Sequence, residues 1–85
     1  AKYLVAQQLY KAGEYTAAEK EILNFIDQST PHAYWLARSF VLLSDVYVAM
    51  DKKLDARQYL LSLQQNYHAD DDIEQMINER LEKLK

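Results

Sequence analysis

Gly13 and Pro31 are the only glycine and the only proline among 85 residues, and so little backbone punctuation leaves few folds open. Glycine and proline end helices and shape tight turns, so a sequence nearly free of both favours long regular segments. None of those segments alternates apolar and polar residues as a half-buried strand does. The apolar residues recur at spacings of three and four, the period of one face of a helix. The chain therefore reads as all-α.

The breakers and polar clusters divide it into five helices. Tyr3, Leu4, Val5, Ala6, Leu9 and Tyr10 make the first, ending near Ala12. Gly13 follows, where a residue without Cβ closes a helix in the left-handed conformation at little cost. The second runs from about Glu14 to Gln28, with Ala18, Ile22, Phe25 and Ile26 on one face. Ser29 or Thr30 can cap the third, and Pro31 suits its first turn.

The third helix is the longest, from Pro31 to about Met50. Fourteen of the eighteen residues from Ala33 to Met50 are apolar, which predicts a nearly surrounded, central helix. Arg38 and Asp45 lie inside it and would each cost about 2.5–3.5 kcal/mol at a bilayer centre, which argues against a membrane span. They are seven residues apart, so they share a narrow stripe that Lys52 prolongs. Ser39 and Ser44 are small enough to let neighbouring helices approach.

Asp51-Lys52-Lys53 marks the next turn. The fourth helix runs from about Leu54 to Tyr67, with Ala56, Leu60 and Leu63 on one face. The fifth begins near Asp71, which can cap it, with Glu74 three residues on as a variant of the capping box. Its apolar stripe is Ile73, Ile77, Leu81 and Leu84, and Glu74, Glu79, Arg80, Glu82 and Lys83 are expected to leave the other side wet.

A displacement of 38 residues brings Ala18 onto Ala56, Ile22 onto Leu60, Leu23 onto Leu61, Phe25 onto Leu63, Val5 onto Leu43, Ala6 onto Ser44, Leu9 onto Tyr47 and Gly13 onto Asp51. Few of these are identities, but size and polarity match. A period between about 20 and 50 residues is the signature of stacked helical repeats.

Residues 4–26, LVAQQLYKAGEYTAAEKEILNFI, resemble a tetratricopeptide repeat, with Leu9, Gly13, Tyr15 and Ala18 at its signature positions. Residues 40–64 resemble a second, degenerate copy that keeps Phe40, Leu43, Tyr47 and Ala56 and lacks the turn glycine. The segment STPHAYWLARSFVLLSDVYVAM is similar to the final repeats of large bacterial tetratricopeptide proteins. The resemblance implies antiparallel helix hairpins of a right-handed solenoid plus a C-terminal capping helix. The expected division of the single domain, 1–85, is a first hairpin over 1–29, a second and longer one over 30–68, and a cap over 70–85. In that family Ala18 marks a close crossing of two helices, and the first helix of each repeat lines a concave surface. That surface would carry Tyr3, Gln7, Tyr10 and Lys11, then Arg38 and Asp45, as the candidate partner-binding face. The family's best-known ligand is a peptide C-terminal carboxylate, which Asp45 would repel.

Other chemistries find little support. Lys and Arg number 10 against 13 Asp and Glu, a net charge of −3, whereas a nucleic-acid binder needs a basic face. Cysteine is absent, so disulfides and thiolate metal sites are excluded, and both a cytoplasmic and a bacterial periplasmic location fit. A metal site needs three or four ligands, and His32 and His68 read as solvated or capping residues. Asp70, Asp71 and Asp72 lack the spacing and glycine of a calcium loop and read as a helix start. One glycine rules out a glycine-rich phosphate loop, and Ser44 reads as a packing residue. Tyr34 and Trp35 could anchor a ligand but suit packing better.

These readings converge on a non-catalytic module, without cofactor, that binds a protein or peptide at the end of a repeat array. A structural cap, or an accessory domain of a larger enzyme or envelope protein, is the alternative. The opening stretch reads as helix with no capping residue before it, so a fragment of a longer chain is expected. Its apolar face should then self-associate weakly through residues 3–10.

Overall fold

The computed structural model describes residues 2–27, 33–69 and 71–84. It contains α1 (Lys2–Lys11), α2 (Tyr15–Asp27), α3 (Ala33–Ala49), α4 (Lys53–Asn66) and α5 (Ile73–Lys83), with no strand among the described residues. The helix starts expected of Ser29, Thr30 and Pro31 lie outside the described residues, as do His32 and Asp70.

Consecutive helices pack on one another, and α3 also packs on α1 and α5, so it touches all four others. Its eight buried residues face two ways. Leu42, Leu43, Val46 and Tyr47 join Tyr3 and Ala6 of α1, Ala18 and Ile22 of α2, and Ala56 of α4 in one apolar cluster. Ala37 and Val41 join Leu60 of α4 and Ile73 and Ile77 of α5 in a second. Burial of an apolar side chain is worth about 1.5–3 kcal/mol, so a helix covered from both sides is the natural centre. Ser39 and Ser44, each 1% exposed, donate to the carbonyls of Trp35 (2.8 Å) and Val41 (2.6 Å). Their hydroxyls are thereby satisfied without a partner from another helix.

The two turns that follow α1 and α3 have the same hydrogen bonds, displaced by 38 residues. Gly13 N–H donates to Tyr10 O and Glu14 N–H to Leu9 O; Asp51 N–H donates to Val48 O and Lys52 N–H to Tyr47 O. This is the paired closure of a Schellman motif, which requires a left-handed residue after the helix. Gly13 supplies it at φ 82° and Asp51 at φ 62°. The match continues into the next helices. Ala18 and Ala56 are both wholly buried, Ile22 and Leu60 are 1% exposed, and Ala6 and Ser44 are 1% exposed.

The correspondence fails along one face, where exposed Gln8 stands opposite wholly buried Val46. Leu42 and Leu43 are buried at 5% and 0%, whereas their counterparts Leu4 and Val5 are 55% and 47% exposed. Leu42 and Leu43 have α2 to pack against; among the described residues, no helix occupies that position beside α1.

Helix ends fall within two residues of expectation: α1 closes at Lys11 rather than Ala12, α2 starts at Tyr15 rather than Glu14, α3 closes at Ala49 rather than Met50, α4 runs Lys53–Asn66 rather than from Leu54 to Tyr67, and α5 starts at Ile73 rather than Asp71. Asp72 takes the N-cap place without a side-chain bond to the helix backbone, while Asp71 Oδ1 accepts the Ile73 N–H at 3.0 Å from one residue further back. Asp71 thus caps the first turn from outside the helix, a local turn that short carboxylates make readily.

Because an added Cβ at Gly13 would meet nothing within 4 Å, the cost of a side chain there is purely conformational. Gly13→Ala should destabilise by about 1 kcal/mol. The reciprocal change Asp51→Gly should stabilise by up to about 1 kcal/mol, because it relieves a left-handed non-glycine residue. Thermal unfolding should shift by about 4–8 °C per kcal/mol, in opposite directions for the two variants. Equal signs would mean that the two turns are not equivalent.

Candidate functional site

All six residues singled out from the sequence, Tyr3, Gln7, Tyr10, Lys11, Arg38 and Asp45, line one cleft of about 130 Å³ between α1, α3 and α5. Positions 3, 7, 10 and 11 lie on adjacent turns of α1, and positions 38 and 45 are two turns apart on α3. The helical period therefore brings them together once α1 packs on α3. Met76 and Arg80 of α5 close the cleft. A larger cavity of about 500 Å³ adjoins it, shares Tyr10, Asp45 and Arg80 with it, and continues along Val48, Lys53, Glu79 and Lys83.

Asp45 and Arg80 form the partition between the two. Arg80 Nε and one terminal nitrogen donate to the two carboxylate oxygens at 2.8 and 2.9 Å, a bidentate pair. The other terminal nitrogen donates to Met76 O at 3.2 Å. Burial disfavours the guanidinium charge, but the Asp45 carboxylate more than offsets this and holds the Arg80 pKa above its ordinary value. Tyr10 beside them is pushed up as well, first by burial and then by the Asp45 charge.

Arg80 corrects the expectation of a wet back on α5. It borders the apolar stripe, three residues after Ile77, and its long side chain reaches inward to α3. Nothing in the local pattern separates it from Glu79 or Lys83. The signal was Asp45 itself, a carboxylate within an apolar helix that needed a cation from some other element.

Arg38 sits differently. Its guanidinium carbon lies 5.5 Å from the Tyr3 ring centre, 5.8 Å from Tyr34 and 5.7 Å from Trp35. This is cation–π geometry with three rings. One terminal nitrogen donates to Tyr34 Oη at 3.3 Å, and that hydroxyl donates to Asp72 at 2.9 Å. Arg38 Nε is buried without a hydrogen-bond partner. Tyr3, expected on the partner-binding face, is 8% exposed and shares a core cluster with Ala6. Arg38 and Trp35 cover its ring, so Tyr3 forms the floor of the cleft; Gln7 is half-buried and Lys11 exposed at its rim.

The remaining candidates have structural work. Lys52 Nζ lies 5.7 Å above the Tyr47 ring. His68 Nε2 is 3.0 Å from the Gln65 carbonyl and caps the end of α4. Tyr67 Oη donates to Asp71, which ties the end of α4 to the start of α5. Among the described residues, no group of three or more His, Asp or Glu is placed to hold a metal ion, and no helix is long and apolar enough to cross a membrane. Comparison with protein-family models, curated proteins and solved structures yields no match.

Two outcomes follow from these contacts. In a double-mutant cycle of Asp45→Asn and Arg80→Gln, urea unfolding should give a coupling of about 1–2 kcal/mol, above the range of exposed pairs. A coupling near zero would mean that solvent screens the pair. The Tyr67 pKa is pushed up from 10.0 to about 12, first by its hydrogen bond to Asp71. A raised folded-state pKa gives stability that is complete below pH 10.0 and lost as pH rises through about 12. Phenolate absorbance should show Tyr67 titrating late, and Asp71→Asn should return it towards its ordinary range. An unchanged late titration would place the cause elsewhere.

Proposed function

We propose that this chain is a non-catalytic protein-interaction module built as two tetratricopeptide-like hairpins and a capping helix, with the α1–α3–α5 cleft as its binding face. The observation that carries this reading is the convergence of Tyr3, Gln7, Tyr10, Lys11, Arg38 and Asp45 on one cleft, lined by the first helix of each hairpin and by α5. The 38-residue correspondence of turns and buried alanines supports the repeat, and contacts only between neighbouring layers support a stacked array. A concave face with rigid aromatics and a charged rim suits a peptide or protein surface.

The test is selection of a random peptide library on the protein. Enriched peptides should lose about fivefold or more in affinity with Gln7→Ala or Lys11→Ala, a change on the order of 1 kcal/mol. Lys20→Ala, on an exposed site outside the cleft, should leave affinity unchanged. Both cleft variants should keep the parent melting temperature, because neither residue belongs to the core. Peptides indifferent to both changes, or no enrichment at all, would sink the reading.

A second reading, a stacking end with no ligand, is favoured by the exposure of Leu4 and Val5 where Leu42 and Leu43 are covered. It predicts that two copies associate through this face. Light scattering over a concentration series should show association that Leu4→Glu or Val5→Glu abolishes. A monomer at every concentration would remove this reading.

A further inference from the structure

The charges of this molecule are unevenly placed. Of the eight lysines and arginines whose side chains are described, five line the two adjoining cavities: Lys11, Arg38, Lys53, Arg80 and Lys83. Of the twelve aspartates and glutamates so described, only Asp45 and Glu79 do. A chain of net charge −3 thus carries a groove with a surplus of three positive charges. A concavity with low-dielectric walls focuses such a field and draws in opposite charge.

Asp45 and Arg80 neutralise each other at 2.8 Å, which leaves Lys11 and Arg38 on one side of the partition and Lys53 and Lys83 on the other, opposed by Glu79. Arg38 is fixed among three rings and keeps a buried Nε without a partner. A cation so held has lost part of its hydration, and an incoming anion offsets that loss.

Resting on the reading of this groove as the binding face, we propose that it receives an internal acidic segment of a partner protein. Its carboxylate side chains meet Lys11 and Arg38 in the smaller cavity and Lys53 and Lys83 in the larger. Its apolar side chains lie over Tyr10 and Val48. The two cation pairs flank a central carboxylate, so the site favours acidic residues in two groups over one terminal carboxylate. Nucleic acid fits less well, because ten further described acidic side chains lie outside the groove on a chain of net charge −3, which disfavours a long phosphate backbone.

The experiment measures fluorescence anisotropy of a dye-labelled peptide of alternating Glu and Ala, amidated at its C-terminus, on the intact chain. Trp35, the single tryptophan, sits against Tyr3 beside the groove and gives a second signal. Binding that weakens with salt is expected, with about tenfold loss in Lys11→Glu and in Lys53→Glu. Lys20→Glu makes the same charge change on an exposed site outside the groove and should cost less than about twofold. An equal loss in Lys20→Glu would overturn the proposal, as would tighter binding of an oligo(dT) strand. A peptide that binds only with a free C-terminal carboxylate would also overturn it. So would failure of the acidic peptide while library-selected neutral or basic peptides still bind; that last result would leave the groove standing as a binding face and remove only the acidic partner.

Discussion

The burial of α3 from two sides is the constraint on which the remaining structure depends. Leu42, Leu43, Val46 and Tyr47 need cover on one side and Ala37 and Val41 on the other. α1 and α2, with Ala56 of α4, provide the first, and α5 with Leu60 of α4 the second. Were α5 absent, Val41 would lose Ile73 and Ile77, and Asp45 would lose Arg80. A carboxylate part-buried without its cation is a serious penalty, so apolar packing and the ion pair act on the same element in the same direction.

That arrangement also creates the cleft. α1 and α5 both pack on α3, and the space between them is walled by whatever each presents beside its packing stripe. On α1 this is Gln7 and Lys11, and on α5 Met76 and Arg80. The aromatic group of Tyr3, Tyr34 and Trp35 then holds Arg38 at the floor. Rigid rings beside cations give a surface that needs little reordering on binding, which lowers the entropic cost of recognition.

The two turns show one backbone closure made with two different residues. Glycine at position 13 and aspartate at position 51 adopt the same left-handed backbone and close the same pair of hydrogen bonds. Aspartate is among the few non-glycine residues that tolerate this region, so the closure does not require glycine.

Much of the fold was legible because helices are written in short-range terms. The apolar period, the single glycine after α1, the alanines 18 and 56 at tight contacts and the stripe of Ile73 and Ile77 all depend on residues within a few turns of one another. The six candidate residues were named from the resemblance, and helical spacing lets them share one cleft once α1 packs on α3. The partners of those residues were not legible. That Arg80 would meet Asp45 from 35 positions away, that Tyr3 would lie beneath Arg38 and Trp35, and that Lys53 and Lys83 would extend the positive groove depended on how α5 docks against α3. The sequence by itself determined the helices, their faces and their turns, since these follow from local backbone geometry and apolar periodicity. Only the tertiary structure decided which charges meet and which remain on the groove, because long side chains on helix borders can turn towards solvent or inward until a neighbouring helix fixes the choice.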